Sequence, residues 1–107
     1  ILTAFQRIQR FVEGVGKDAF KLRGLRVDGV LFNLMTIGEA NKRIPQEEQD
    51  KYPDVRWKDI SRFRDRVVHH YFTLDLDIVW EIVQEHLPVL AKNVEEMSRE
   101  SNEGNQE

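Results

Sequence analysis

Apolar residues return every three or four positions along this chain, and that period constrains the fold more than any other feature of the sequence. Ile1, Leu2, Phe5, Ile8, Phe11, Val12 and Val15 fall on one side of a helical wheel, with Gly14 and Gly16 as stop signals. A short turn from Asp18 to Arg23 ends near Gly24, and a second long helix is expected from about Val27 to Arg43, halted by Ile44 and Pro45. Its main stripe is Val27, Val30, Leu31, Leu34, Ile37 and Gly38, whereas Phe32 and Met35 lie on a different side. A helix with two apolar faces is either wholly enclosed in one bundle, or packs the bundle with one side and a partner subunit with the other. Pro45 to Asp54 reads as a polar connector whose Asp54 can cap a third helix from Trp57 to about Val68. Thr73 or Asp75 can cap a fourth helix carrying Leu76, Val79, Trp80, Ile82 and Val83, which Pro88 kinks or restarts before Val89, Leu90, Val94 and Met97.

With 107 residues the chain can bury roughly two-thirds of its unfolded surface in one core. The expectation is a single all-α domain over residues 1–97, a bundle of four to five helices, followed by a polar, acidic tail over 98–107 that frays. The absence of cysteine removes disulfides, thiolate metal sites and thiol nucleophiles together. No apolar run approaches the roughly 20 residues that span a bilayer, and no leader pattern opens the chain, so a cytoplasmic protein without a membrane partner is expected. The net charge of −3 argues against a generally basic nucleic-acid coat. Its distribution is uneven: Arg56 to His70 holds five Arg or Lys against two Asp, while Glu95 to Glu107 holds five Glu and one Arg, so a basic patch survives in an acidic protein.

That patch contains the chemistry-bearing segment, Arg62-Phe63-Arg64-Asp65-Arg66-Val67-Val68-His69-His70-Tyr71-Phe72. At about 100° per residue, Ile60, Phe63, Val67, Val68 and Tyr71 form an apolar arc with Arg64 in its middle, so a permanently charged guanidinium is aimed at a buried or interfacial surface. Such a group needs an acid such as Glu39 or Asp65, a polar cleft, or an anionic ligand. On a continuous helix His69 points roughly 140° away from Arg64, so the two converge only if the helix ends near Val68 or a second subunit supplies one of them. A histidine that titrates near neutrality can move a proton from a ribose 2′-hydroxyl or to a leaving 5′-oxygen, and an arginine can hold the phosphate, which suffices to cleave RNA without metal. No metal or other cofactor is expected, because His69 and His70 are adjacent and face different ways, and no His-Glu-x-x-His spacing exists.

Arg64, then four residues, His69, one residue and Tyr71 resembles the motif of the HepT-like toxins of the HEPN superfamily. Leu34, Ile37-Gly38-Glu39-Ala40 and Lys42-Arg43, then Tyr52-Pro53, Trp57, Tyr71-Phe72, Asp75, Val79-Trp80 and Leu87-Pro88 fit in the same order, so the resemblance covers nearly the whole chain. It implies a homodimeric HEPN bundle whose Arg64 and His69 are catalytic and line a cleft at the two-fold axis. It further implies a toxin endoribonuclease restrained by a cognate minimal nucleotidyltransferase antitoxin that can transfer AMP to Tyr71, filling the cleft with bulk and negative charge. Asp65, Arg62, Arg66 and His70 are supporting or RNA-contacting residues in this reading.

Two positions depart from the pattern. Asp65 stands where Asn is more familiar; its carboxylate could weaken the phosphate-binding field, orient Arg64 or raise the His69 pKa. His70 offers a second register for the Arg-to-His spacing, and Tyr71 decides for His69. His86 reads as a surface helix residue. The rival reading is a non-catalytic helical dimer that binds a nucleotide or regulates a nucleotidyltransferase partner without cutting RNA.

Overall fold

The computed structural model describes residues 1–22 and 24–105 and is helical throughout, with no strand among the described residues. Four long rods make the bundle: α1 (Leu2–Val12), α3 (Leu25–Lys42), α5 (Trp57–His70), and a continuous run formed by α6 (Leu76–Glu81), a π turn (Ile82–His86) and α7 (Leu87–Asn105). Two short helices, α2 (Lys17–Phe20) and α4 (Gln46–Asp50), and a 3₁₀ turn (Tyr71–Thr73) complete the chain. This is the expected all-α bundle. None of the described helices is long and apolar enough to cross a membrane.

α3 is the central element because its apolar stripe finds partners on two sides, α1 and α5. Val27, Val30, Leu31, Leu34 and Ile37 are all buried, each contributing about 1.5–3 kcal/mol relative to exposure. The same helix approaches both neighbours through glycines: a Cβ at Gly29 would strike the Phe11 ring of α1, and one at Gly38 would strike the stem of Arg64 on α5. Asn41, fully buried near the end of α3, donates through Nδ2 to the Trp57 carbonyl (2.9 Å) and to Ser61 Oγ (3.0 Å), tying that end to the start of α5. Phe32, in contrast, is 59% exposed, which excludes an α3 wholly enclosed in its own bundle.

Several local expectations change. The polar connector contains α4, which starts behind Pro45, and the N-cap of α5 is Arg56 with no side-chain cap, so Asp54 does not serve there. Asp75 does cap α6, its Oδ1 accepting from the Asp77 amide at 2.9 Å. Lys21 and Lys17 then hold the Asp77 carboxyl below the usual range, which docks α2 on α6. Pro88 lacks an amide hydrogen, and the chain meets it with a widened turn in which the Leu87 amide bonds back to Ile82. The segment read as a fraying tail remains helical from Ser98 to Asn105, and residues 106–107 lie outside the described ones, as does Arg23. Glu100 explains part of this extension: it accepts from the Tyr52 hydroxyl at 2.7 Å. That bond, with burial behind it, pushes the phenol up to about 12.

Candidate active site

The position of Arg64 follows from Gly38. Because α3 has no side chain at that point, the Arg64 stem lies directly on its backbone and the guanidinium emerges along the α3 surface, 28% exposed. Its Nη2 meets Glu39 Oε2 at 2.9 Å and its Nη1 meets Asp65 Oδ1 at 3.2 Å, while Nε is buried without a partner. Lys42 Nζ takes the same Asp65 oxygen at 2.6 Å. The Lys42 hydrogen bond first, and the Arg64 one second, hold the Asp65 carboxyl below its ordinary value. Asp65 is therefore an anion at neutral pH whose charge is drawn mainly toward Lys42.

Glu39 and Asp65 are each about half exposed, at 49% and 48%. Ion pairs so wet contribute little to stability. They orient the guanidinium without sealing it, and a phosphate offering two oxygens can replace a carboxylate there at little cost. An open groove of about 460 Å³, bordered by Met35, Thr36, Glu39 and Arg43, lies beside the guanidinium. Phe32 of α3 and Val68 of α5, 45% exposed, leave further apolar surface bare on these two helices.

α5 continues through His70, two residues beyond the expected end near Val68, and this decides the His69 geometry. Five residues of unbroken helix separate His69 from Arg64 by about 7.5 Å along the axis and about 140° around it. His69 is exposed, and its side chain makes no hydrogen bond to another described residue. Within one chain the two groups do not converge. Tyr71 opens the 3₁₀ turn, lies edge-on to Phe72 with ring centroids 5.2 Å apart, and donates its hydroxyl to Asp28 Oδ1 at 2.8 Å. Asp28 is in the first turn of α3, so the motif tyrosine is oriented by the helix that also positions Arg64.

Arg62 and Arg66 lie two residues to either side of Arg64, about 200° around the helix, and thus face away from it. They border a different groove with His86, which is not a simple surface residue: its side chain is 28% exposed and set in the π turn. Glu81, Glu85 and His86 are close enough to share a cation, but both carboxylates are exposed. Sequence reasoning named Glu39 and Asp65 as partners for Arg64, and both are used. It missed Lys42 as the holder of Asp65 and Asp28 as the partner of Tyr71, because residues 23 and 43 positions apart carry no local signal of contact.

The HepT-like ribonuclease profile matches residues 1–97. A "putative RNase" of Methanocaldococcus jannaschii is 36% identical over 100 residues, covering 94% of this chain and 83% of that protein. A "probable ribonuclease HepT" of Thermococcus cleftensis is 29% identical over 99 residues, covering 92% of this chain and 90% of its own. A "putative RNase" of Caldanaerobacter subterraneus is 34% identical over 86 residues, 80% of this chain and 77% of that one. No solved structure gives a significant match.

Proposed function

This chain belongs to the HepT-like ribonuclease family, and on that premise we propose that it is a metal-independent endoribonuclease, the toxin of a cytoplasmic toxin–antitoxin pair, active as a homodimer. The observation that carries the reading is the unbroken α5: Arg64 and His69 diverge within one chain, so a cleft holding both requires two chains. Phe32, Met35 and Val68 supply apolar surface on the two helices that carry or flank Arg64, and their burial would accompany pairing.

In the proposed cleft, neutral His69 of one chain accepts the ribose 2′-hydroxyl proton as the 2′-oxygen attacks the adjacent phosphorus. Arg64 of the other chain leaves Glu39 and Asp65 for the phosphate, whose charge grows as the 5′-oxygen departs, and the leaving oxygen takes a proton from water. The partner is a cognate minimal nucleotidyltransferase antitoxin that transfers AMP from ATP to the Tyr71 hydroxyl, whose oxygen bonds the α-phosphorus as pyrophosphate and the phenol proton leave. Asp28 orients that hydroxyl, and modification beside His69 excludes RNA by bulk and repulsion. One observation favours the rival, a non-catalytic nucleotide-binding or regulatory dimer: both terminal nitrogens of Arg64 already have carboxylate partners.

Cleavage of labelled RNA in EDTA separates the two. The wild-type chain is expected to cut; His69→Ala should lose on the order of 10²-fold in rate, and Arg64→Lys should not restore the two-donor grip. A folded, unmodified wild-type dimer that leaves varied RNAs intact favours the rival. Incubation with the antitoxin and ATP should add the mass of AMP to the wild type and none to Tyr71→Phe.

A further inference from the structure

The face of α5 opposite Arg64 carries an exposed basic pair. Arg62 and Arg66 stand one helical turn apart on it, both exposed, and neither has an acidic partner among the described residues. They border a groove of about 600 Å³ between α5 and the run of α6 into the π turn, with Phe63, Ile78 and Ile82 as its apolar lining. Past Arg66 a second hollow of about 280 Å³ continues the groove to His70 and Thr73, and His70 is the neighbour of His69.

The charge in this groove is sorted by wall. On the α5 side the one carboxylate is Asp59, held by Arg56 Nε at 2.7 Å, which leaves Arg62 and Arg66 uncompensated. The opposite wall carries Glu81, 4.0 Å from His86, and, in the second hollow, Asp75, whose Oδ1 is taken by the Asp77 amide. The widened turn that accommodates Pro88 contains His86 and directs its ring into the groove wall. An anionic chain that follows α5 therefore meets two free guanidiniums about 6 Å apart along the axis, with apolar surface beside them. Alternating charge and flat apolar faces are the properties of a nucleotide strand. An acidic peptide has the charge without the flat faces.

We propose that this groove is a track for single-stranded RNA flanking the scissile phosphate, with Arg62 and Arg66 holding phosphates and Ile78 and Ile82 receiving base faces. The identity of the occupant rests on the ribonuclease reading; the shape and charge of the groove do not. The track ends at His70, so RNA held in it arrives beside His69, and the two faces of α5 divide the work between strand holding and chemistry.

The test is the salt dependence of binding for a short, labelled single-stranded RNA whose 2′-hydroxyls are methylated, so that the 2′-oxygen cannot attack, followed by fluorescence anisotropy. Each phosphate contact to a single strand contributes about 0.7 to the slope of log K against log salt, so Arg62→Ala with Arg66→Ala should lower the slope by about 1.4 and weaken binding roughly tenfold or more. Arg62→Lys with Arg66→Lys should keep most of the slope, and both double variants should melt near the wild type because the side chains are exposed. Wild-type affinity and slope in the folded double alanine variant would overturn the track, whether or not the protein cuts RNA. Tighter groove-dependent binding of a polyglutamate peptide than of RNA would overturn RNA as the occupant. Slope loss as expected, in a protein that never cleaves, would uphold the track and sink the ribonuclease reading alone.

Discussion

Gly38→Ala isolates the contact on which the Arg64 site depends. A methyl at this position would lie 2.7 Å from Arg64 Cγ and nearer still to Cβ, with Arg64 Cα at 3.6 Å. The obstructing atoms are close to the backbone, not at the tip of a flexible chain, so α5 itself must move. Alanine gains about 1 kcal/mol over glycine in a helix interior, and overpacking a tight contact costs about 1–3 kcal/mol. With a backbone-anchored neighbour the upper part of that range applies, leaving a net loss of about 1–2 kcal/mol, or roughly 4–16 °C in Tm for a domain of this size. The guanidinium would leave its Glu39 partner, and a displacement of about 1 Å at a catalytic group can cost on the order of 10²-fold in rate. Thermal melting and RNA cleavage on the same sample read both effects. Gly16→Ala is the control, since a Cβ there meets nothing within 4 Å. If Gly38→Ala is instead stabilised by its helix propensity and cuts RNA at the wild-type rate, the close crossing of α3 and α5 does not position Arg64.

Three further outcomes follow from the same contacts. In a Tyr71→Phe background, the remaining Tyr52 should titrate in the ultraviolet at about 12, and Glu100→Gln should return it toward 10; the raised value means that its stabilising contribution is complete below pH 10 and lost as pH rises through 12, so an ordinary midpoint would undo the docking of α7 on Tyr52. Lys42→Met should raise the Asp65 carboxyl toward about 3.9 in a carbon-detected NMR titration, and since its folded value is lowered, the stabilisation present above about pH 4 should fade as pH falls through that lowered value; an unmoved midpoint would show that Lys42 does not hold Asp65. Phe32→Asp should shift the sedimentation of a homodimer to that of a monomer while leaving the helical content intact, and a dimer that survives it uses another face.

How much of this was legible depends on whether the signal was local. The α3 stripe from Val27 to Ile37 obeys the helical period, and every residue named for it is buried. Arg64 amid an apolar arc announced a need for acids, and the two candidates named for it are the two it uses. The boundaries were less legible: His69 and His70 are polar and adjacent to aromatics, and nothing in the pattern tells a helix that ends at Val68 from one that runs to His70. The Ser98 to Asn105 helix is polar throughout, and its anchor lies almost fifty residues upstream, at Tyr52. The π turn was signalled only as a proline-induced disturbance, yet it turns His86 from a surface residue into part of a groove wall. Gly38 was read as a member of the apolar stripe; that it is small because an arginine crosses it is a tertiary fact.

The central claim is that Arg64 and His69 act across two chains, and mixed dimers test it most directly. Arg64→Ala and His69→Ala are each prepared, shown to be folded dimers, denatured together, refolded and assayed on labelled RNA in EDTA. In a mixed dimer the Arg64→Ala chain still supplies His69 and the His69→Ala chain still supplies Arg64, so one of two composite half-sites is whole. With half of the dimers mixed, about a quarter of the wild-type rate should return, although each parent alone is nearly inactive. A mixture as inactive as its parents, in a sample where mixed dimers are demonstrably present and the wild type cuts, would contradict the shared site.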